Sequence, residues 1–592
     1  MTDVHIGTDR PTPAEAAAVD GVVDATIGPV VVRRSERLVL GGSARRNERR
    51  HLLLPALHAL QRTAGWISPG GINHLADVLG VPPAEAYGVA TFYDLFVTED
   101  PGHERDVLHV CVDAACQIAG SAEVIAGLAG GGEIVRESPC LGQCERPVAQ
   151  FLQGRGKADA VPVDIADGGP PAPLVPQAGD PRLRLLSRVG TVDPTELSAY
   201  VNSGGYKALA KAFTLGPDGV IDEIDASGLM GRGGAAFPTA VKWRAVAGEA
   251  GTKHVVVNAD ESEPGTFKDR ILMENDPFAV IEAATIAGFA TGASNGWIYI
   301  RGEYPLATER LAAAIDQARE AGFLGERIAR SSFTFDLEIR RGAGAYICGE
   351  ETALFNSLEG FRGEPRQKPP FPTTNGLFHQ PTVINNPETL ANVLDIVTGG
   401  GAAFASVGTE GSTGTKLFCL SGRVAKPGLY EVPFGATLGE LLDLAGGAVG
   451  HLRAVLLGGA AGSFVGPDQL DLPLTFEGSR AAGLSLGSGV VMAFDAGDDL
   501  TAVVTRIAEF FRHESCGQCV PCRVGTIRQH ELLAAGGTGW GNGSNGSSVT
   551  PVALLDEMDR AMKDASICGL GHTASTAVRS AIDLGLIEGL NP

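Results

Sequence analysis

Eight of the ten cysteines fall into two sets of four, and their spacing constrains the chain more than any other feature. Cys111, Cys116, Cys140 and Cys144 read C-x4-C-x23-C-x3-C, and Cys516, Cys519, Cys522 and Cys568 read C-x2-C-x2-C-x45-C. Thiolates in fours hold iron–sulfur clusters, each of which moves one electron at a time. Zinc usually takes two C-x2-C pairs. The second set instead has three cysteines at two-residue gaps, with Pro521 inside the run and a distant fourth, which is the [4Fe–4S] arrangement. The first set fits [2Fe–2S], and on spacing alone its two separated pairs also fit zinc. Cys348 and Cys419 stand singly among apolar neighbours and read as small buried hydrophobes. Two cluster sites in one polypeptide imply an electron wire, and a wire needs something to feed it.

At 592 residues the chain exceeds one core and should divide into roughly three to five domains. Its net charge of −22, with no long basic stretch, excludes a nucleic-acid footprint. The N-terminal residues lack the cationic start and apolar core of a secretory signal, and no apolar run approaches the ~18 residues of a membrane span. Clustered thiols without export fit a reducing cytoplasm, where they serve as metal ligands more often than as disulfides.

Composition predicts a flexible tail over 1–45, then helices, with Leu54, Leu57, His58 and Gln61 on one turn-spaced run and Pro82-Pro83 opening another. A short strand over Val107–Val112 ends near Cys111, and Gly142 lies between Cys140 and Cys144, where glycine lets backbone come close. The first cluster unit thus covers 46–165. A Pro/Gly linker spans 166–184. Residues 185–412 alternate helices with strands such as Val255–Asn258 and Trp297–Ile300, an α/β pattern. Residues 413–500 are strand-rich with a helix after Thr437-Leu438, and 501–592 are helical apart from a Gly/Ser/Asn loop over Gly536–Ser548.

Between the cysteine sets lies Gly231-Arg232-Gly233-Gly234-Ala235-Ala236-Phe237-Pro238. It matches G-x-G-x-x-A formally, but Asp222–Met230 before it reads as helix, so it fails the strand-first context of a Rossmann fingerprint. A glycine loop entering a helix (Thr239–Arg244) can still cradle phosphate, because free N–H groups meet the positive helix end. Arg232 and Lys242 would add charge, and an ordinary tight turn stays open as the alternative. The Val255–Val257 strand then delivers Asn258-Ala259-Asp260-Glu261-Ser262-Glu263, three carboxylates in four positions, the usual place for a ligand in an α/β sheet. A solvated acidic loop would look the same.

These stretches, with Gly342–Glu351, Lys368–Pro372, Asn385–Thr389, ESCGQCVPCR and ICGLG, resemble the flavoprotein, NADH-binding subunit of respiratory complex I over roughly 200–592. Residues ~45–165 resemble its thioredoxin-like [2Fe–2S] partner subunit, on Leu54–Leu57, Gly88–Tyr93 and Ser138–Glu145, which favours [2Fe–2S] over zinc there. The resemblance implies a multidomain α/β chain: a helical segment with a thioredoxin-like [2Fe–2S] domain, an FMN/NADH-binding domain, a ubiquitin-like β-grasp insert and a [4Fe–4S] helical bundle. It places FMN on Gly231, Arg232, Gly233, Lys242, Asn258, Asp260, Glu261, Tyr346, Gly349, Glu350, Asn385, Asn386 and Thr389. NAD(H) would touch Phe237, Glu263, Glu351, Lys368 and Phe371. Ala236 stands where the family usually has glycine, which bears on nucleotide affinity. The [4Fe–4S] site would lie beside the flavin on the main route, with the [2Fe–2S] site on the flavin's other side.

Nicotinamide exchanges electrons in pairs and a cluster takes one, so a flavin belongs between them, and no catalytic side chain is assigned. Fused chains of this type resemble β subunits of soluble, metal-dependent NAD-linked formate dehydrogenases. Those partner a catalytic α subunit with further clusters and a molybdenum or tungsten pterin. They also resemble diaphorase subunits of NAD-reducing nickel–iron hydrogenases. A fused complex I input subunit and a non-enzymatic scaffold are the remaining alternatives.

Overall fold

The computed structural model describes residues 9–27, 49–100, 102, 106–128, 134–162, 172–536 and 550–590. The first unit opens with helices Pro13–Ile27, Leu53–Ala64, Pro69–Leu79 and Pro83–Ala90. Leu54, Leu57 and Gln61 form the buried stripe of the second helix, as their spacing predicts. Within the expected flexible tail over 1–45, Pro13–Ile27 is a helix packed on the next two, with Val19 and Val23 fully buried and Glu15 accepting from Thr12 N at 2.7 Å and from the Ser68 hydroxyl. Residues 28–48 lie outside the described residues. Three strands follow, β1 (Val107–Cys111), β2 (Ile134–Ser138) and β3 (Gln150–Gln153), in the order β2-β1-β3. β1 runs parallel to β2 and antiparallel to β3, and sets Cys111 opposite Ser138, two residues before Cys140.

The described part of the expected 166–184 linker is a fixed strap. Leu174 O accepts from Leu429 N at 2.9 Å, and Val175 and Leu183 are buried. The Glu431 carboxylate accepts the N–H groups of Arg184, Leu185 and Leu186 at 3.0–3.2 Å and the Thr415 hydroxyl at 2.7 Å. One buried acid thus gathers donors that a structureless linker would leave to water.

The next unit is built on a wholly parallel sheet of β4 (His254–Ala259), β5 (Asn295–Ile300), β6 (Asp336–Arg341) and β7 (Thr382–Asn385), in the order β6-β5-β4-β7. Both strands expected from sequence here fall within β4 and β5. The chain winds outward from β4 to β6 and then returns to lay β7 on the other flank of β4. The carboxyl ends of β4 and β7 therefore form the topological switch point, where open α/β sheets bind ligands. The helix before the glycine loop, Lys207–Ser227, breaks at Gly216-Pro217 and ends before Met230, which bridges to Pro238.

Strands β8 (Thr415–Gly422), β9 (Gly428–Pro433), β10 (Leu452–Leu457), β11 (Ser463–Val465) and β12 (Val490–Asp495) form a mixed sheet ordered β11-β10-β12-β8-β9. Its helix Leu438–Leu444 starts on a Thr437/Glu440 capping box. Helices Leu500–Glu514, Val520–Ala534, Pro551–Ala565, Gly569–Thr573 and Thr576–Asp583 complete the chain. Of the expected Gly536–Ser548 loop, only Gly536 is among the described residues.

Glu431→Ala strips the acceptor from three strap N–H groups and is expected to cost about 3 kcal/mol locally. Limited trypsinolysis should then cut after Arg182 and Arg184 faster than in the parent, with Glu431→Gln intermediate. Equal cleavage of all three proteins would contradict the strap.

Candidate functional site: a flavin cleft between two cysteine centres

At the switch point a cleft of about 390 Å³ opens beside the glycine loop. The loop is closed by Gly231 N–H donating to Phe237 O at 2.9 Å and leads into helix Thr239–Gly248. Of the residues expected at the cofactors, Gly233, Asn258, Asp260, Glu261, Glu263, Tyr346, Gly349, Glu350 and Asn386 line the cleft. Asn258 Nδ2 donates to Gly349 O at 2.8 Å, tying the end of β4 to the turn after β6. Glu350 is the N-cap of helix Glu351–Leu358, accepting from Thr352 N and Ala353 N at 2.8 and 2.9 Å. Glu261 accepts from Asp269 N and Arg270 N at 3.0 and 2.9 Å, so its carboxylate is committed to a helix start.

Other expected flavin residues act from behind the wall. Arg232 is fully buried but points away from the cleft. Its guanidinium donates to Met230 O at 3.0 Å and Thr413 O at 2.8 Å, and lies 4.6 Å over the Phe434 ring. Expected to add charge to a phosphate cradle, its guanidinium bolts the loop to the β8–β12 unit in this structure. Thr389 Oγ1 accepts Arg232 N at 2.8 Å, and Asn385 Oδ1 accepts Trp243 Nε1 at 2.9 Å, so both brace the loop and its helix. Lys242 is also off the cleft wall, 3.9 Å from Glu351 and 5.6 Å from the Phe237 ring centre.

Lys242 belongs instead to an outer lip with the residues expected at the nucleotide. Lys368 Nζ bonds Glu350 and Glu351, both at 2.9 Å, while Phe237 and Phe371 are 46% and 58% exposed. Exposed aromatic faces suit a stacked base. Glu263, expected at the nucleotide, lies deeper, accepting from Tyr346 OH at 3.1 Å and Ala461 N at 2.7 Å. Ala236 has φ 48°, the left-handed region that costs a residue with a Cβ about 1 kcal/mol. The glycine usual at this place would relieve that strain.

Sequence reasoning missed Lys268 and the wall supplied by distant segments. Lys268 is 1% exposed, lines the cleft, and contacts Asp269 at 2.8 Å and Glu388 at 3.1 Å. Burial disfavours its ammonium, yet the two carboxylates outweigh that and hold it above the usual lysine range. Among the described residues it is the one cation lining the cleft. Ala461, Gly487 and Ser488 come from the β8–β12 unit, and Gly569, Leu570 and Thr573 from beside Cys568. Only the ICGLG motif signalled any of these.

The donor set fits a polyhydroxylated phosphate cofactor such as FMN. The Ser488 hydroxyl on the cleft wall is buried without a partner. Burial lifts the carboxyls of Asp260 and Glu263 to about 7, an environment that hydroxyl donors would relieve. Glycines at 233, 234 and 349 keep the backbone open to a ligand.

The first cysteine set forms one buried nest: Cys111 at the end of β1, Cys116 in helix Ala114–Ile118, and Cys140 and Cys144 in the loop after β2, with exposures of 1%, 1%, 2% and 4%. Cys140 Sγ lies 3.4 Å from Cys144 Sγ, and Ala149 N–H and Gly142 N–H point at Cys116 Sγ and Cys140 Sγ, each at 3.4 Å. Gly142 has φ 67°, and a Cβ there would sit 2.1 Å from the Tyr304 hydroxyl, so glycine is required by a neighbouring side chain. Cys516, Cys519, Cys522 and Cys568 together line a second small cavity with Ile347 and Leu570. Burial pushes Cys522 up to about 12 and Cys568 to about 11, so ligating a metal would release their protons. Cys348 and Cys419 are buried, as expected.

All three sites adjoin. Ile347 and Leu570 line both the cleft and the Cys516–Cys568 cavity. Ser262 and Tyr346 line both the cleft and a polar chamber of about 200 Å³ that reaches Cys140. Arginines of the cleft unit grip the first nest: Arg301 Nη2 donates to Cys140 O at 2.6 Å, and Arg270 Nε to Gly142 O at 2.9 Å, with its Nη2 on Glu145.

A pH prediction follows from Glu263. In the folded, flavin-free chain it keeps its proton to about 7, whereas unfolded it loses it near ~4.3. The native state then binds more protons than the unfolded state in this window, and stability falls as pH rises from about 5 to 8. Glu263→Gln should flatten the fall in thermal midpoint between pH 5.5 and 8 in flavin-stripped protein. An unchanged slope would contradict it.

Family comparisons agree with this geometry. Residues 224–395 match the Nuo51 FMN-binding domain, 502–584 the NADH-ubiquinone oxidoreductase-F iron–sulfur binding region, 42–153 the thioredoxin-like [2Fe–2S] ferredoxin and 417–453 the SLBB domain. An NADH-quinone oxidoreductase subunit of Aquifex aeolicus is 42% identical over 400 residues, covering 67% of this chain and 92% of that one. The NADP-reducing hydrogenase subunit HndC of Solidesulfovibrio fructosivorans is 42% identical over 407 residues, 68% of this chain and 82% of that one. The solved structure of an NAD+-reducing [NiFe]-hydrogenase in the air-oxidized state contains a similar chain, with TM-score 0.76 and 32% identity, covering 92% of this chain and 94% of that one. The chain belongs to the family of FMN- and iron–sulfur-binding NADH-quinone oxidoreductase subunits, here continuous with a thioredoxin-like [2Fe–2S] ferredoxin.

Proposed function

We propose that this chain is the NAD(H)-exchanging subunit of an NAD-linked formate dehydrogenase, working in the cytoplasm with a catalytic subunit that oxidises formate to CO2 at a molybdenum or tungsten pterin. The coarser function follows from the family: an FMN- and iron–sulfur-dependent NADH dehydrogenase module of a multisubunit oxidoreductase, of the complex I or NAD-reducing hydrogenase type. Among the described residues no helix is long and apolar enough to cross a membrane. What supports the finer reading is that the four cysteines of the N-terminal unit, the ICGLG motif at Cys568 and the Lys368–Pro372 stretch are all intact. A second reading, the diaphorase subunit of a nickel–iron hydrogenase, is favoured by the 92% of this chain that aligns with a chain of such an enzyme.

FMN, when bound, takes electrons from NADH as a pair and releases them singly. The protein's part is placement. Glu263 is fixed by Tyr346 and Ala461 near the floor, Lys268 presents buried positive charge, and Phe237 and Phe371 offer faces for the adenine. Purifying the native complex and assaying NAD+ reduction decides the partner. Formate-dependent activity with molybdenum or tungsten supports the proposal, and H2-dependent activity with nickel overturns it.

Glu351 sits between Lys368 at 2.9 Å and Lys242 at 3.9 Å. We expect this carboxylate to disfavour the 2′-phosphate of NADP by holding both ammonium groups. Glu351→Gln would free positive charge at the lip and raise the NADPH/NADH ratio of kcat/KM by about tenfold, ~1.4 kcal/mol. An unchanged ratio in ferricyanide reduction would contradict that role.

A further inference from the structure

Asp113 occupies the N-cap position of the short helix that carries Cys116, yet its side chain makes no bond to that helix. Its two oxygens are used elsewhere. Oδ2 accepts the backbone N–H of the cluster ligand Cys140 at 2.7 Å, and Oδ1 accepts Arg506 Nε at 2.6 Å. Arg506 belongs to helix Leu500–Glu514, which runs straight into Cys516 of the other cysteine set. The side chains are 13% and 5% exposed, so solvent screens the pair little. Arg506 also bonds Glu509 at 2.8 Å, which fixes its guanidinium from the solvent side.

The contact carries two consequences for the first nest. The Cys140 N–H is directed at a carboxylate, and the buried negative charge this places beside four thiolates is balanced by a cation from another domain. Reduction adds negative charge to an iron–sulfur cluster, so nearby cations raise its potential and nearby anions lower it. Local charge and hydrogen bonding are levers the protein uses to set that potential. The Cys140 carbonyl is held separately by Arg301 at 2.6 Å, so the arrangement can lose Arg506 without freeing the whole loop.

We propose that Arg506, on the helix leading to the [4Fe–4S] site, is a positioning residue that sets the reduction potential of the [2Fe–2S] site through Asp113. The role does not depend on whether formate or hydrogen lies beyond the chain. Cys516 is ten residues further along, or about 15 Å of helix, so the [4Fe–4S] site should feel the substitution much less.

The test is an EPR-monitored redox titration of the full chain with both clusters loaded, comparing parent, Arg506→Gln, Arg506→Lys, Asp113→Asn and the Arg506→Gln/Asp113→Asn pair. Arg506→Gln should lower the [2Fe–2S] midpoint and Asp113→Asn should raise it, since the amide can still accept the Cys140 N–H without the charge. The double variant should fall between the two, and Arg506→Lys should stay near the parent. The [4Fe–4S] midpoint should move less than the [2Fe–2S] midpoint throughout. An Arg506→Gln midpoint equal to the parent's, a lysine variant shifted as far as the glutamine one, or equal shifts at both clusters would overturn the proposal. If Arg506→Gln fails to accumulate, an Asp113→Asn midpoint at or below the parent's overturns it equally.

Discussion

Between Ala345 and Glu350 the backbone makes one tight turn, Tyr346–Gly349, and the redox geometry of the molecule depends on it. Tyr346 faces the flavin cleft and the polar chamber beside Cys140, while its neighbour Ile347 faces the cleft and the Cys516–Cys568 cavity. Adjacent side chains thus form the partitions between the cleft and either cysteine site. The turn is pinned from both sides: Tyr346 N donates to Glu514 Oε2 at 2.8 Å and Tyr346 OH to Glu263 Oε2 at 3.1 Å. Burial pushes the Glu514 carboxyl well up, so the acid at this joint is a costly group retained for where it places its neighbours.

Because the three sites come from segments hundreds of residues apart, domain docking is part of the site itself. The docking surfaces are strongly ionic. Arg270–Glu145 and Arg506–Asp113 join the first cluster unit to the rest, and Arg423 donates to Ile118 O at 3.1 Å from a third direction. Buried ion pairs often contribute little net stability, but breaking one leaves an uncompensated charge. Such contacts therefore tolerate little displacement and suit an interface whose task is to fix distance. The strap over 172–186 reinforces them by tying the connection between units to β9 through Glu431.

Much of this was legible in the sequence because its chemistry is local. Cysteine spacing marked out both sets of four, β4 and β5 announced themselves as β-rich runs, and the resemblance named Asn258, Asp260, Gly349 and Asn386, which line the cleft. What escaped was set by partners remote in the chain. Arg232 sits in a glycine loop that invites a phosphate, but Thr413 and Phe434 capture its guanidinium. Lys268 reads as one charge among many until Glu388 and Asp269 bury it beside the cleft. Helix Pro13–Ile27 has alanine and charge for most of its length and is anchored by Val19 and Val23, too few apolar positions to show a period. The linker's prolines and glycines signal an irregular connection, but its described part is a series of turns tied to Glu431, and composition says nothing of that carboxylate.

The two cysteine sites adjoin one cleft on different sides, so electrons entering there reach them by separate branches and not along a line from Cys111 to Cys568. Freeze-quench EPR after mixing with excess NADH tests it most directly, comparing the parent chain with a Cys522→Ser variant lacking the [4Fe–4S] site. The account predicts that the [2Fe–2S] signal appears in the variant with the parent's time course. A [2Fe–2S] site that dithionite reduces but NADH reduces only when Cys522 is present would contradict it.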